Sequence, residues 1–141
     1  MITASERRPA ELAVAWLVPA VGATIFVAIQ TFSYINAYVA SSGAIEAITF
    51  DPGTLLGISI YVGACVLPPL LALNGRRLSD WAMIVLGGLL FLMSTLGGIF
   101  DGLRDGTHLV LLELLAVTLP GAVATRISWR HIRSNSTSGR Y

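Results

Sequence analysis

Lysine is absent from this chain, and only one cysteine and two histidines occur. The single thiol, Cys65, excludes a disulfide framework, a zinc site of the cysteine type and a CxxC redox pair. His108 and His131 fall on opposite sides of the layout derived below, so one chain cannot hold a bis-histidine haem. No phosphate loop, nucleophile elbow or HExxH helix is present. The sequence therefore predicts no metal ion and no other cofactor.

Charge is scarce as well, at 12% of residues against roughly 25% in an ordinary globular domain. Hydrophobic residues make up 55% of the chain. This balance is typical of an integral membrane protein, whose main partner is the lipid bilayer. The net charge of +1 gives no indication of a nucleic-acid partner, and we expect none.

Four apolar stretches are each long enough to cross a ~30 Å hydrocarbon layer as a helix. The predicted spans are residues 11–35, 54–73, 80–100 and 108–128. Two arginines precede the first stretch, but it is too long for a signal peptide, and we expect it to be retained. The sequence thus predicts a single all-α domain over residues 1–141, an antiparallel bundle of four transmembrane helices.

The arginines fall almost entirely on one side of this layout. That side holds Arg7, Arg8, Arg76, Arg77, Arg126, Arg130, Arg133 and Arg140. The other side holds Arg104 together with Glu46, Asp51, Asp101 and Asp105. Because arginine-rich short loops stay in the cytoplasm, both termini are predicted to be cytoplasmic.

Residues near the span ends carry further expectations. Trp16 and the aromatic residues near the end of the first span are expected at the membrane interface. Ser79 or Asp80 is expected to cap the third span. Pro120 has no N–H group and is expected to bend the fourth span below Glu113. The serine-rich tail beyond Arg133 is expected to be disordered.

Small residues on two spans predict close helix approach. In the second span they are Gly57, Ser59 and Gly63. In the third, Ser94 and Gly98 form a small-xxx-small pair on one face. These faces are expected to serve packing or oligomerisation.

The connection between the third and fourth spans holds a polar group made of Asp101, Arg104, Asp105 and His108. If the helix continued through this connection, Asp101, Asp105 and His108 would share one face. They would then be close enough to bind a metal ion or to act as an acid–base pair. The alternative is that they cap two helix ends at the water interface, with Arg104 as a screened partner. Gly102 and Gly106 favour this alternative because they are typical of a turn.

Glu113 is a lone carboxylate inside the fourth span, about 7–8 Å of helix rise beyond His108. An acid in an apolar span is costly to desolvate and by default marks a partner or a function. The small residues that follow it on one face predict that it points inward. By depth, its candidate partners are Gln30, Thr31, Tyr34, Ser59, Tyr61, Ser94 and Thr95. Either Glu113 fixes helix order by a hydrogen bond, or it acts as a general acid/base or proton carrier.

The strings Phe100-Asp101-Gly102 and Leu111-Leu112-Glu113-Leu114-Leu115, which follow a glycine-rich helix, resemble small four-helix proteins of the DoxX-like group. Asp51-Pro52 before the second span is similar too. The resemblance covers about the second half of the chain. The sequence departs from the group where an arginine on the third helix would accompany the acid, since only glycine, serine and threonine stand there. The resemblance implies a compact protein of the bacterial inner membrane, sometimes associated with membrane oxidoreductases.

Three functions are compatible with these residues. The first is a non-catalytic membrane protein, either an accessory subunit of another membrane protein or a binder of an apolar, lipid-like molecule. The second is a membrane-embedded enzyme acting on an apolar substrate, with Glu113 as acid/base and Asp101, Asp105 or His108 assisting. The third is a small transporter that would have to form a homo-oligomer to enclose a path. Enzymatic and non-enzymatic interpretations both stay open at this point.

The arginine bias makes a prediction about orientation. A reporter that is active only in the cytoplasm is expected to be active when fused at Tyr141, because the flanking arginines hold that end inside. The same reporter placed in the Ser41–Gly43 loop should be inactive. Activity measured in whole cells checks both positions, and an inactive Tyr141 fusion together with an active Ser41–Gly43 fusion would overturn the four-span layout.

Overall fold

A computed structural model describes the backbone of residues 4–42, 44 and 51–138, and the side chains of residues 9–42, 44 and 51–134. Every secondary-structure element in these ranges is helical. The elements are α1 (Ala4–Ala40), α2 (Pro52–Ala64), α3 (Leu67–Leu73), α4 (Arg77–Asp105), α5 (Thr107–Glu113), a π-helical turn (Leu114–Thr118) and α6 (Leu119–Ser138). Glu46, Arg140 and the side chains of Arg7 and Arg8, which entered the orientation argument, lie outside the described residues.

Four helical segments are long and apolar enough to cross a membrane, which confirms the four predicted spans. They cover Pro9–Ala40, Pro52–Leu73, Arg77–Asp105 and Thr107–Ser134. The third helix runs past its predicted end to Asp105, and the last continues to Ser138. The prediction of disorder beyond Arg133 is therefore wrong for residues 134–138. Ile132, which is 5% exposed, anchors this end of the helix to the core.

The second span is broken between α2 and α3. Pro68 and Pro69 have no N–H groups, so two carbonyls in the preceding turn lose their helical donors. The chain tightens there instead, and the Cys65 N–H reaches the carbonyls of both Tyr61 and Val62, at 3.3 and 3.2 Å. The prolines themselves are buried in α3.

The first half of this span, α2, does not pack closely against other helices, although its small residues predicted close helix approach. No residue of α2 is buried. A Cβ added at Gly57 or Gly63 would meet no atom within 4 Å, and the Ser59 hydroxyl donates to the Leu55 carbonyl of its own helix. Within the described part of the chain these small residues bring no other helix close; the alternative, that they serve oligomerisation, stays a prediction.

Trp16 lies in the interior, although the sequence predicted a ring at the membrane interface. Its side chain is 3% exposed, and its indole Nε1 donates to the Ser128 hydroxyl at 3.0 Å. The ring fills the space beside Gly87, where an added Cβ would lie 2.6 Å from it. A buried serine satisfies the indole N–H, so the ring packs between helices instead of facing lipid or water. Trp16 thus connects α1, α4 and α6.

Ser79 and Asp80 do not cap α4. The helix begins at Arg77, and its N-cap residue makes no side-chain hydrogen bond. The Ser79 hydroxyl donates to the Leu71 carbonyl at 2.8 Å, and the Asp80 carboxylate lies 3.9 Å from Nε2 of His131. The capping prediction is wrong because tertiary partners on α3 and α6 take both side chains.

The contact between Trp16 and Gly87 predicts opposite effects for two neighbouring glycines. Gly87→Ala should lower stability by about 1–3 kcal/mol, since the buried ring cannot move aside without breaking its bond to Ser128. Gly88→Ala, in open space on the same helix, should raise it by about 0.5–1 kcal/mol. Thermal unfolding of the two purified variants in one detergent measures both. Equal effects at the two positions would contradict the tight packing of Trp16 against Gly87.

Candidate functional site

Glu113 lies at the centre of the candidate site and is fully buried. It is the last residue of α5, and its side chain packs against Gly98 of α4. A Cβ added at Gly98 would lie 2.5 Å from the carboxyl carbon and from Oε2. Glycine is therefore the residue that leaves room for the acid, and the prediction that Glu113 points inward is confirmed.

Ser94, one helical turn from Gly98, is the polar neighbour of this carboxyl. It lies close to both the Glu113 carboxyl and the Tyr61 hydroxyl near the end of α2. Neither the Tyr61 hydroxyl nor either carboxyl oxygen completes a hydrogen bond of ordinary geometry, however. Tyr61, Ser94 and Glu113 thus form a polar cluster, which we call the Glu113 cluster, in which the Tyr61 hydroxyl and the Glu113 carboxyl are unsatisfied.

The other candidate partners of Glu113 form contacts elsewhere. The Gln30 amide donates to Asp105 at 3.1 Å, and the Thr95 hydroxyl pairs with that of Thr118 at 3.2 Å. Thr31 and Ser59 donate to carbonyls of their own helices, and Tyr34 stacks on Tyr38. Of the predicted partners, the structure thus brings only Ser94 and Tyr61 to the carboxyl.

The turn that follows Glu113 is the π-helical segment Leu114–Thr118. Pro120 cannot donate to the Ala116 carbonyl, and the wider turn accommodates the missing bond. The freed Ala116 carbonyl oxygen faces α1, so close to Gly22 that an added Cβ there would collide with it. The sequence predicted a bend of the fourth span below Glu113; the structure has a π-helical turn there, and the Ala116 carbonyl turns towards Gly22 of α1.

A small open-sided cleft with a cavity volume of about 30 Å³ lies beside Tyr61 and Ser94 of the Glu113 cluster. The enclosed space is about that of one or two water molecules, so a larger ligand would lie along the open side of the cleft. Its walls include Trp16, Ala20, Ala23, Tyr61, Cys65, Phe91, Ser94 and Val117. Most of these groups are apolar. Tyr61 and Ser94 belong to both the cleft and the cluster, whereas Glu113 lies behind them and does not itself line the cleft. Sequence reasoning missed the cleft, because the helix break that places Tyr61 at its wall was not anticipated.

Asp101, Asp105 and His108 form a second polar group that is separate from Glu113. Gly106, with a φ of +145°, ends α4, so the acids and the histidine lie on different helices. Asp105 accepts from Gln30 and lies 3.6 Å from Arg104. His108 Nε2 lies 3.4 Å from the Ser33 hydroxyl. These contacts fit the interpretation as helix ends at a water interface.

No set of three histidine, cysteine, aspartate or glutamate side chains in the described ranges is arranged to hold a metal ion. The shared helix face that the sequence allowed for Asp101, Asp105 and His108 does not form, because the turn at Gly106 interrupts it. The structure thus places these three residues with first-helix partners or at the surface, and not beside the carboxyl of Glu113.

Asp51 is a further exposed acid, at the start of α2. Its carboxylate accepts from the Thr54 hydroxyl at 2.6 Å and from the N–H groups of Thr54 and Gly53 at 3.0 and 2.8 Å. These donors, the Thr54 hydroxyl foremost, hold the pKa of Asp51 below its ordinary value. Asp51 is therefore a capping residue that stays ionised at neutral pH.

Comparison of the chain with protein-family models, with characterised proteins and with solved structures finds no match.

The lack of a hydrogen-bond partner at Glu113 predicts how the fold responds to its removal. Glu113→Leu should keep or raise stability, by a gain on the order of 1 kcal/mol, because no partner is stranded when the carboxyl goes. Glu113→Gln should fold equally well. Thr118→Val is the matched control, since it breaks a formed hydroxyl pair and should cost about 0.6 kcal/mol. Melting temperatures in detergent give the comparison, and a loss for Glu113→Leu larger than that of the control would show that Glu113 holds the helices together.

Proposed function

We propose that this protein is a multi-pass protein of the bacterial inner membrane whose four helices form an antiparallel bundle with both termini in the cytoplasm. Two pairs of contacts support the antiparallel order of the first and last helices. Trp16 contacts Ser128, while Ser33, further along α1, contacts His108 at the start of the last helix. The arginine bias supports the orientation. The DoxX-like resemblance is consistent with this architecture and is part of the proposal.

Within that bundle, the function that the geometry supports best is binding of an amphipathic, lipid-like molecule. The observation that carries it is the apolar cleft with unpartnered, buried polar groups at one end. Such a site holds an apolar body in the cleft and a polar head at the Glu113 cluster. Buried polar groups are costly when unpaired, so a head group that pairs with them contributes binding energy.

An accessory role beside another membrane protein is compatible with the same binding function. The exposed surface of α2, with its open positions at Gly57 and Gly63, offers an apolar helix for such a partner or for a second copy of this chain. Small residues on an exposed helix face allow close helix approach in membranes. Binding in the cleft does not require this contact.

A second candidate function is a membrane-embedded enzyme with Glu113 as general acid/base. The burial of Glu113 beside a cleft favours it, because dry, unpaired carboxyls are common among catalytic groups. Assistance from Asp101, Asp105 or His108 lacks support, since their contacts lie with Gln30, Ser33 or the surface. Catalysis would therefore rest on Glu113 with the neighbouring hydroxyls of Tyr61 and Ser94.

Filling the cleft tests the binding function. A dodecanol carrying a diazirine should photolabel residues of the cleft wall, such as Phe91, when the protein is held in lipid nanodiscs. Ala23→Leu places extra bulk in the cleft and should reduce this labelling at least several-fold. Ala28→Leu, on the exposed face of the same helix, should leave it unchanged. Mass spectrometry of the labelled peptides reads the result, and labelling spread evenly over lipid-facing residues would contradict a binding site.

A further inference from the structure

We propose that the head group accepted by this site is a monovalent organic cation, the ammonium group of an amphipathic amine whose apolar body lies along the open side of the cleft. The inference rests on the proposed binding function and adds to it the charge of the ligand. Three features of the described residues carry it: the unpaired carboxyl, the aromatic walls, and the distribution of arginine and acidic residues.

The carboxyl of Glu113 has no compensating charge. No described arginine or histidine lies within ion-pairing distance of it, and its oxygens make no hydrogen bond. An ionised carboxylate in a dry environment is costly, and the attraction of an opposite charge is much stronger there than in water. A cationic head removes this cost most completely. A neutral head does so only by hydrogen bonding, and an anionic head adds repulsion.

Aromatic residues from three helices line the cleft, namely Trp16, Tyr61 and Phe91. The faces of aromatic rings attract cations that approach within about 6 Å, and the attraction grows as water is excluded. Alkylated ammonium groups are especially suited to such walls, because they shed water easily and present an apolar surface with a positive charge. The lining therefore favours the same charge as the carboxyl does.

Arginine is absent from the described walls of the cleft. Arg104 is exposed and paired with Asp105, and the remaining described arginines lie near the turn before α4 or on α6. A phosphate or carboxylate head would thus find no cation in this site. The exposed acids Asp51 and Asp101 lie on the side of the layout nearer to Glu113, and their negative potential raises the local concentration of cations.

Three competitors with the same alkyl chain and different head charges test the inference. Dodecyltrimethylammonium, dodecanol and dodecylsulfonate are titrated against the photolabelling of the cleft by diazirine-dodecanol, in nanodiscs of zwitterionic phosphatidylcholine. We expect the cation to displace the label at about tenfold lower concentration than dodecanol, and the anion to be the weakest competitor. In Glu113→Gln the advantage of the cation over dodecanol should disappear. Glu11→Gln, which removes an exposed carboxylate on α1, should retain it.

The outcomes separate the charge of the ligand from the binding function. If all three compete equally in the wild-type protein, the cation inference is wrong and the binding function stands. If the cation keeps its advantage in Glu113→Gln, the inference is wrong because the preference does not come from this carboxyl. If none of the three competes and the cleft is not labelled, the binding function itself fails. The comparison of the three competitors uses the wild-type protein alone, so it does not depend on whether any variant folds.

Discussion

The indole of Trp16 holds α1, α4 and α6 in contact and forms part of the wall of the cleft. Its ring replaces a side chain at Gly87 of α4, while its N–H group bonds to Ser128 of α6. Around it pack Leu12, Ala72, Met83 and Ala124, so the core lies near this one ring. The same residue lines the cleft. A smaller residue here would lose both the packing against Gly87 and the bond to Ser128.

Prolines weaken the helices at the two places where the site needs irregular backbone. Pro68 and Pro69 break the second span just after Tyr61, and Pro120 widens the turn just after Glu113. Backbone irregularity inside a membrane is tolerated where the freed groups lie within protein or beside a cavity. The Ala116 carbonyl meets this condition, because it faces Gly22 and not lipid. Both irregularities adjoin the cleft, which connects the local sequence of the helices with the position of the site.

The two polar groups of the chain differ in how completely they are paired. Asp105 and His108, at the helix ends, reach Gln30 and Ser33 on α1 and remain partly open to solvent. Glu113 is fully buried and unpaired. Natural proteins leave buried polar groups unpaired mainly at functional sites. There the unpaired group raises the free energy of the unliganded protein, so a ligand that pairs with the group binds more tightly. The difference in pairing, rather than the number of charged residues, distinguishes the candidate site from a solvated turn.

The sequence by itself determined the number of spans, the helical class and the inward direction of Glu113. These follow from hydropathy and from the spacing of small residues on a helix, which are local properties of the chain. Tertiary structure alone decided that Trp16 is buried, that Ser79 and Asp80 bind α3 and α6 instead of capping α4, and which of seven polar candidates reaches Glu113. Each of these outcomes depends on which side chain from another helix arrives at a given depth. A local pattern cannot specify that, because an indole or a serine satisfies its hydrogen bonds equally well with water, with its own helix or with a neighbour.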